Sequence, residues 1–232
     1  MKLFFKLLIF FFFFIFNNFS SSYANNFKET YLVEVGKIDI GKLFWNISLS
    51  KNDYKISIIL KNKGFFSNLY KFSGEYETRG LIVNNSPIPL KYKQTWITKK
   101  KERSVEIDFS KNAVNKLILL PVEKEHSRIE YIGIKNYSDP LSAFLNLLIG
   151  NIKSKTIDGR RVYSLVVNEN IKENNIITKK IVVKDYVNIW ADHKRNDLEY
   201  IEIVQQTDKN IISMPLIVKI KFKGVLFKLK KI

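Results

Sequence analysis

The sequence contains no cysteine, and only two histidines, five prolines and nine glycines occur among its 232 residues. Without cysteine there are no disulfides, no thiolate metal ligands, no thiol nucleophile and no lipid-modified N-terminal cysteine. The two histidines lie far apart, His126 in Glu-Lys-Glu-His and His193 in Ala-Asp-His-Lys-Arg. Each is flanked by charge, the setting of a solvated loop histidine, and two distant imidazoles without a thiolate make a poor zinc site. Ser142, Asp192 and His193 can be written down as a triad. Neighbours on one short turn, however, cannot place an orienting acid behind the imidazole, and no strained nucleophile turn precedes Ser142. No glycine-rich phosphate loop or dinucleotide fingerprint follows any strand-like run. Catalytic residues, metal ligands and cofactors are not expected, and the chain reads as a non-enzyme.

Long hydrophobic runs are scarce too, with one exception at the start. Lys2 and Lys6 precede an unbroken apolar stretch over residues 7–16, followed by a polar segment and Ser22-Tyr23-Ala24. This is the pattern of a secretory signal peptide over residues 1–24, cut before Asn25. The apolar run is shorter than the roughly 20 residues that span a bilayer as a helix. Export to the periplasm of a Gram-negative bacterium is the expected localisation. Residues 25–232 are then long enough for a single domain with a sizeable core.

Acidic residues are outnumbered, 22 against 39 lysines and arginines. Removing Lys2 and Lys6 leaves a net charge of +15 on residues 25–232. Export argues against a nucleic-acid partner, as does the scatter of lysines over strand-like positions and turns. The denser runs are residues 99–103 and the tail lysines Lys219, Lys221, Lys223, Lys228, Lys230 and Lys231. The tail could touch an anionic membrane surface, each lysine contributing about 1 kcal/mol when close to it. A solvated sheet edge, on which lysines deter strand-to-strand aggregation, accounts for the same residues.

What is abundant is alternation. Leu43, Trp45, Ile47 and Leu49 alternate with polar or exposed positions, and Tyr54, Ile56, Ile58 and Leu60 repeat the pattern after a turn at Asn52-Asp53. Tyr70, Phe72 and Tyr76 share a strand face with Gly74 and Thr78, and Tyr92, Gln94, Trp96 and Thr98 alternate with lysines. Residues 64–69 interrupt this with aromatics, as a helical turn under the sheet or the rim of an apolar groove. Residues 84–89 read as a loop, 117–120 as a strand, 122–127 as a polar connection and 128–132 as a short strand. Further strands are predicted over 162–167, 177–184, 186–190, 198–205, 216–222 and 225–229, with 168–175 turn-like. About eleven or twelve strands result. Such a chain can form a sandwich, a closed barrel or a curved half-barrel. The many outward lysines disfavour an outer-membrane barrel.

One helix signal stands among the strands. Asp139 is placed to cap it, Pro140 sits where no donor is needed, and Gly150 can end it in the left-handed region. Leu141, Phe144, Leu145 and Leu148 fall at i, i+3, i+4 and i+7, with Leu147 and Ile149 widening the apolar face. About 15 Å of helix cannot stand alone in water. It either braces a sheet or walls an apolar cavity. Asp158-Gly159 marks a turn, after which Arg160 and Arg161 point to opposite faces of a strand. Whichever arginine is buried needs an acid, and Asp158 and Asp139 are the local candidates.

Asp-Pro-Leu-Ser-Ala at 139–143, with Asp158-Gly159-Arg160-Arg161 and Tyr163, resembles the exported bacterial family known as domain of unknown function 3108. Gly36 to Gly41 with Leu43, and Met214-Pro215-Leu216 before two last strands, agree with that resemblance over residues 30–230. It implies a mainly β fold, a curved antiparallel sheet or half-barrel with one short helix packed across it, like that of periplasmic lipid and lipoprotein carriers. Architecture does not settle function. The expected role is non-catalytic binding of a lipid, lipoprotein or apolar peptide of the envelope, with Trp45, Tyr76, Trp96, Phe144, Leu145 and Leu148 as candidate ligand-binding residues. The competing role is an envelope assembly or scaffold protein that binds protein partners. Asp139, Pro140, Asp158, Gly159, Arg160 and Arg161 are expected to be structural.

Overall fold

A computed structural model describes residues 25–62, 72–190, 197–207 and 212–232. Its elements, in chain order, are β1 (Asn25–Val35), β2 (Ile38–Leu49), β3 (Asp53–Asn62), β4 (Phe72–Val83), β5 (Ser86–Thr98), β6 (Glu102–Ser110) and β7 (Ala113–Leu120), then helix α1 (Pro140–Ile149). The chain continues through β8 (Lys153–Ile157), β9 (Arg161–Glu173), β10 (Ile176–Asn188), β11 (Leu198–Gln206), β12 (Ile217–Phe222) and β13 (Val225–Lys231). All thirteen strands join one antiparallel sheet in the order β7-β6-β5-β4-β3-β2-β1-β13-β12-β11-β10-β9-β8. This is the expected half-barrel with one short helix across it.

The topology is a meander broken once. β1 to β7 step outward to one edge, and β8 to β13 step back from the other. β1 and β13 meet in the middle, Tyr31 opposite Lys231 and Val35 opposite Phe227. The longest connection between strands and helix, residues 121–139, therefore joins opposite edges of the sheet, which must curl to let it. It pairs with both. Gly133 donates to the Val114 carbonyl at 2.7 Å and Val114 to that of Ile134 at 3.1 Å, on the β7 side. On the β8 side, Ser138 donates to Lys155 and receives from Ile157, both at 2.9 Å. Far from these edges, the Tyr31 hydroxyl donates to the Pro215 carbonyl at 2.8 Å, tying the Met-Pro-Leu segment to β1.

Several sequence-based expectations change. Residues 84–89 are no loop: Asn84 and Asn85, with φ of 49° and 57°, make a two-residue hairpin turn, and β5 begins at Ser86. Two successive left-handed residues match the twist of the flanking strands, and asparagine tolerates that region. Residues 128–132 are not a strand, because the hydrogen bonds of this connection go to separate elements. Arg128 N, for instance, donates to the Ile189 carbonyl at 2.8 Å. The polar runs 151–157 and 168–175 carry β8 and the far half of β9, where ladder pairing overrides weak hydrophobic alternation. The segment 64–69 lies outside the described residues, as do residues 1–24.

The inner face of the sheet holds a large core built on Tyr31, Trp45, Ile47, Tyr54, Ile56, Leu165, Ile181 and Ile203. A second cluster, with Tyr92, Ile107, Val114, Ile157 and Ile189, lies beneath the β5 to β9 side. α1 lies against β4, β5 and β8, and Leu141 touches both clusters. Ala143, Leu145, Leu147 and Leu148 of the helix are at most 3% exposed. Each such leucine contributes about 2 kcal/mol by leaving water, more than a ten-residue helix gains from its own backbone. The helix is held by the sheet.

Candidate functional site

Asp139 shows how sequence becomes architecture. Its Oδ1 accepts from the Leu141 and Ser142 amides, both at 3.0 Å, satisfying two donors that an isolated helix end would leave orphaned. Its Oδ2 accepts from the Ser142 hydroxyl and, at 2.8 Å, from the Thr78 hydroxyl on β4. The Tyr54 hydroxyl on β3 meets Ser142 Oγ at 2.6 Å. Tyr54, Thr78, Asp139 and Ser142 are all buried. Burial lifts the Asp139 carboxyl above the ordinary carboxylate range, with the hydrogen bonds from Ser142, Thr78 and Leu141 pulling against it. Burial raises the Tyr54 hydroxyl as well. Gly80 makes room for the cluster, since a Cβ there would meet the Ile88 carbonyl and lie 2.6 Å from the Tyr54 hydroxyl.

The other end of α1 is held differently. Gly150, at φ 120°, turns its amide back to the Asn146 carbonyl. The Leu147 carbonyl accepts from Lys179 Nζ at 2.9 Å. A cation at a helix C-terminus suits the dipole, yet this lysine is only 6% exposed, and burial lowers its pKa. Sequence alternation alone did not single it out.

The Asp158 turn joins β8 to β9. Asp158 Oδ1 accepts from the Arg160 and Arg161 amides at 2.9 and 2.8 Å. Gly159 sits at φ 90°, and a Cβ on it would meet Val105, Leu119 and Leu117 side chains. Its carbonyl accepts from Trp190 Nε1 at 3.0 Å. The paired arginines separate as alternation requires: Arg160 binds Glu123, while Arg161 lies 3.3 Å from Asp197 and 3.9 Å from Asp158. Asp139, the other acid considered for an arginine, is instead committed to hydroxyls and helix amides. This turn is a clasp between the two edges of the sheet.

A different surface occupies the other end of β3, β4 and β5. Cross-strand register places Ile58 opposite Tyr76 and Leu60 opposite Gly74, with Gly74 opposite Trp96. A Cβ on Gly74 would lie 2.8 Å from the Trp96 ring, so the indole covers the missing side chain. Phe72 stacks on Trp96 with centroids 5.6 Å apart and planes at 12°. Phe144 of α1 reaches Trp45, centroid to centroid at 5.4 Å. Ile58, Leu60, Phe72, Tyr76, Trp96 and Phe144 are each only half-buried, although they face inward. Burial pushes the Tyr76 hydroxyl up to about 12. Trp45 Nε1 is buried and has no hydrogen-bond partner among the described residues.

Of the candidate ligand-binding residues, the structure thus puts Tyr76, Trp96 and Phe144 on a half-exposed apolar wall. Trp45, Leu145 and Leu148 lie in the core behind it. His126 is exposed in the long connection, and His193 lies outside the described residues. Among the described residues, no group of three His, Asp or Glu side chains is placed to hold a metal. Nor is any helix among them long and apolar enough to cross a membrane. Thr78 and Tyr54 were the residues sequence reasoning passed over. Their signal was available: a threonine on an otherwise apolar strand face must find a partner once buried.

No curated protein matches the chain. Among solved structures it is similar to the beta-barrel-like protein of domain of unknown function DUF1849 from Brucella abortus. The identity is 9% over 90% of this chain and 96% of that one, with a TM-score of 0.48. A family model described as protein of unknown function (DUF3108) matches residues 30–224, a span that holds the Asp139 cap, the Asp158 clasp and the aromatic wall. The chain belongs to the DUF3108 family.

Proposed function

We propose that this is an exported, non-catalytic binding protein that holds an apolar or amphiphilic envelope component, a lipid or the lipid portion of a lipoprotein, against the inner face of its half-barrel. The observation that carries the reading is the wall of half-buried inward side chains, Ile58, Leu60, Phe72, Tyr76, Trp96 and Phe144. Inward positions elsewhere on the same strands are closed: Ile56 is 1% exposed, Thr78 0% and Tyr92 1%. A face that is filled at one end and left half-open with aromatics at the other is shaped like a ligand site lined by apolar groups with few polar ones.

The test is native mass spectrometry of protein purified from the periplasm, with organic extraction of whatever travels with it. A stoichiometric lipid adduct is expected, and Trp96→Ala should strip it while leaving the circular dichroism spectrum unchanged, the melting temperature falling only by the lost ring packing. A clean unliganded mass for wild-type protein sinks the reading.

The scaffold alternative draws on another observation. Beyond Val114, the described residues place no hydrogen-bonded strand on the outer edge of β7, and Ile118, Leu120 and Val122 there are 38%, 54% and 73% exposed. An extended protein segment could pair with that edge. Crosslinking from a photoreactive residue at position 118 to a specific envelope protein in cells, with a clean unliganded mass, would favour it.

A further inference from the structure

We infer that the apolar wall ends in a seat for an anionic headgroup, formed by Arg103 with Lys101, so that the ligand is a monomeric lipid whose phosphate headgroup carries net negative charge. The inference rests on the binding function proposed above and names its ligand class. Arg103 lies directly opposite Trp96 in the β5–β6 ladder, so the guanidinium and the indole share a face. The last β6–β7 pair is Ser104 with Leu120. Glu102 and Arg103 therefore project beyond β7, whose chain turns away at Pro121, a residue with no amide to continue the ladder. The notch left behind is a groove of about 580 Å³ lined by Lys101, Glu102, Arg103, Ser104, Leu120 and Pro121.

Charge decides what this notch takes. On the outer wall of the same strands the cations are matched: Lys55 with Glu77, Lys91 with Glu106 and Asp108, Lys93 with Glu106. Lys101 and Arg103 have no carboxylate within ion-pairing distance among the described residues. Glu102 lines the same notch, across from Ile97, but forms no ion pair with Lys101 or Arg103 among the described residues. A guanidinium presents a planar fork of donors that matches phosphate oxygens, and the Ser104 hydroxyl adds a neutral donor at the groove lining. An uncompensated fork beside an open aromatic wall fits a molecule with both ends, an anionic phosphate and a hydrocarbon tail.

The experiment measures binding of two short-chain lipids with identical dihexanoyl tails, phosphatidylglycerol and phosphatidylcholine, each below its micelle concentration, by isothermal titration calorimetry. Sodium phosphate is the third ligand. Wild-type protein is expected to prefer the anionic lipid by about tenfold, the scale of one charge-assisted contact. Arg103→Gln should erase that preference by weakening phosphatidylglycerol more than phosphatidylcholine, whose choline cation offsets its own phosphate, and Arg103→Lys should restore part of it. Because Arg103 is exposed, the substitution leaves the fold intact, which an unchanged melting temperature verifies. Equal affinity for the two lipids, or a preference that survives Arg103→Gln, overturns the headgroup seat while leaving lipid binding standing. Phosphate that binds as tightly as phosphatidylglycerol overturns it as well, marking a site for the free ion. Failure of both lipids to bind overturns the headgroup seat and the binding function together.

Discussion

Thr78 and Gly74 lie four residues apart on the same face of β4, about 13 Å along one strand, and the two neighbourhoods are built on opposite principles. Around Thr78, four buried side chains meet through directed hydrogen bonds, and a hypothetical Cβ on Gly80 has nowhere to go. Around Gly74, rings lie on rings, with Phe72 stacked on Trp96, and several remain half-exposed. Directed bonds tolerate little displacement, so the first region acts as the joint between helix and sheet. Apolar contact tolerates sliding and exchange of partners, which is what the proposed ligand site requires. The same strand carries both because its alternation specifies only which face a side chain takes.

The contrast can be broken most severely at Asp139. Asp139→Ala removes the helix cap and the acceptor shared by the Thr78 and Ser142 hydroxyls, leaving Thr78 only the Lys91 carbonyl and Ser142, and Ser142 only Tyr54 and Thr78. The expected loss is about 3–5 kcal/mol, read as a lowered urea midpoint. A loss below about 1 kcal/mol would show that the joint does not depend on these bonds. Paired glycine substitutions come next. Gly80→Ala drives a methyl into the Ile88 backbone carbonyl and the Tyr54 hydroxyl, and should cost about 2–3 kcal/mol. Gly74→Ala meets first the Trp96 and Tyr76 rings, which can shift, and should cost nearer 1 kcal/mol while changing tryptophan fluorescence. Equal costs from the two would erase the proposed difference in rigidity.

The smallest effect concerns Lys179, whose folded pKa lies below its unfolded value because burial disfavours the charge. Below the folded pKa both states are protonated, and the cost of holding the cation is fully present. Between the folded pKa and the unfolded value of about 10.4, the native state releases its proton first, so stability rises with pH. Wild-type protein should therefore gain on Lys179→Met as pH climbs from 7 toward 10. Denaturation curves at a series of pH values would expose a flat difference, and with it an ammonium that is better solvated than its burial suggests.

Much of this was legible in the residues themselves. The Asp139-Pro140 start, the apolar residues at i, i+3, i+4 and i+7 and the Gly150 stop describe α1 to the residue, because caps and periodicity are local. Alternation over 43–49 and 54–60 likewise marks β2 and β3. Legibility failed where a strand earns its place from its neighbours. β8 carries no apolar alternation in KSKTI to mark it, yet Ser154, Thr156 and Ile157 are buried between β9 and the returning connection. For the site, alternation assigned Tyr76 and Trp96 to one face. It could not show that Phe72 stacks on Trp96 or that Arg103 stands beside it, since both depend on register across separate hairpins.

Sequence alone determined the strand-rich class, the single capped helix, the basic charge and the turn at Asp158-Gly159, all of which follow from residues within a few positions of one another. Tertiary structure decided the rest: that β1 meets β13, that residues 133–138 bridge the two sheet edges, and that Asp139 caps a helix while binding Thr78. It also decided that the inner face is closed at Thr78 and half-open at Trp96. The physical reason is that burial belongs to a position in space. A side chain 61 residues away in sequence satisfies Asp139, and no local pattern encodes where the curling sheet will bring it.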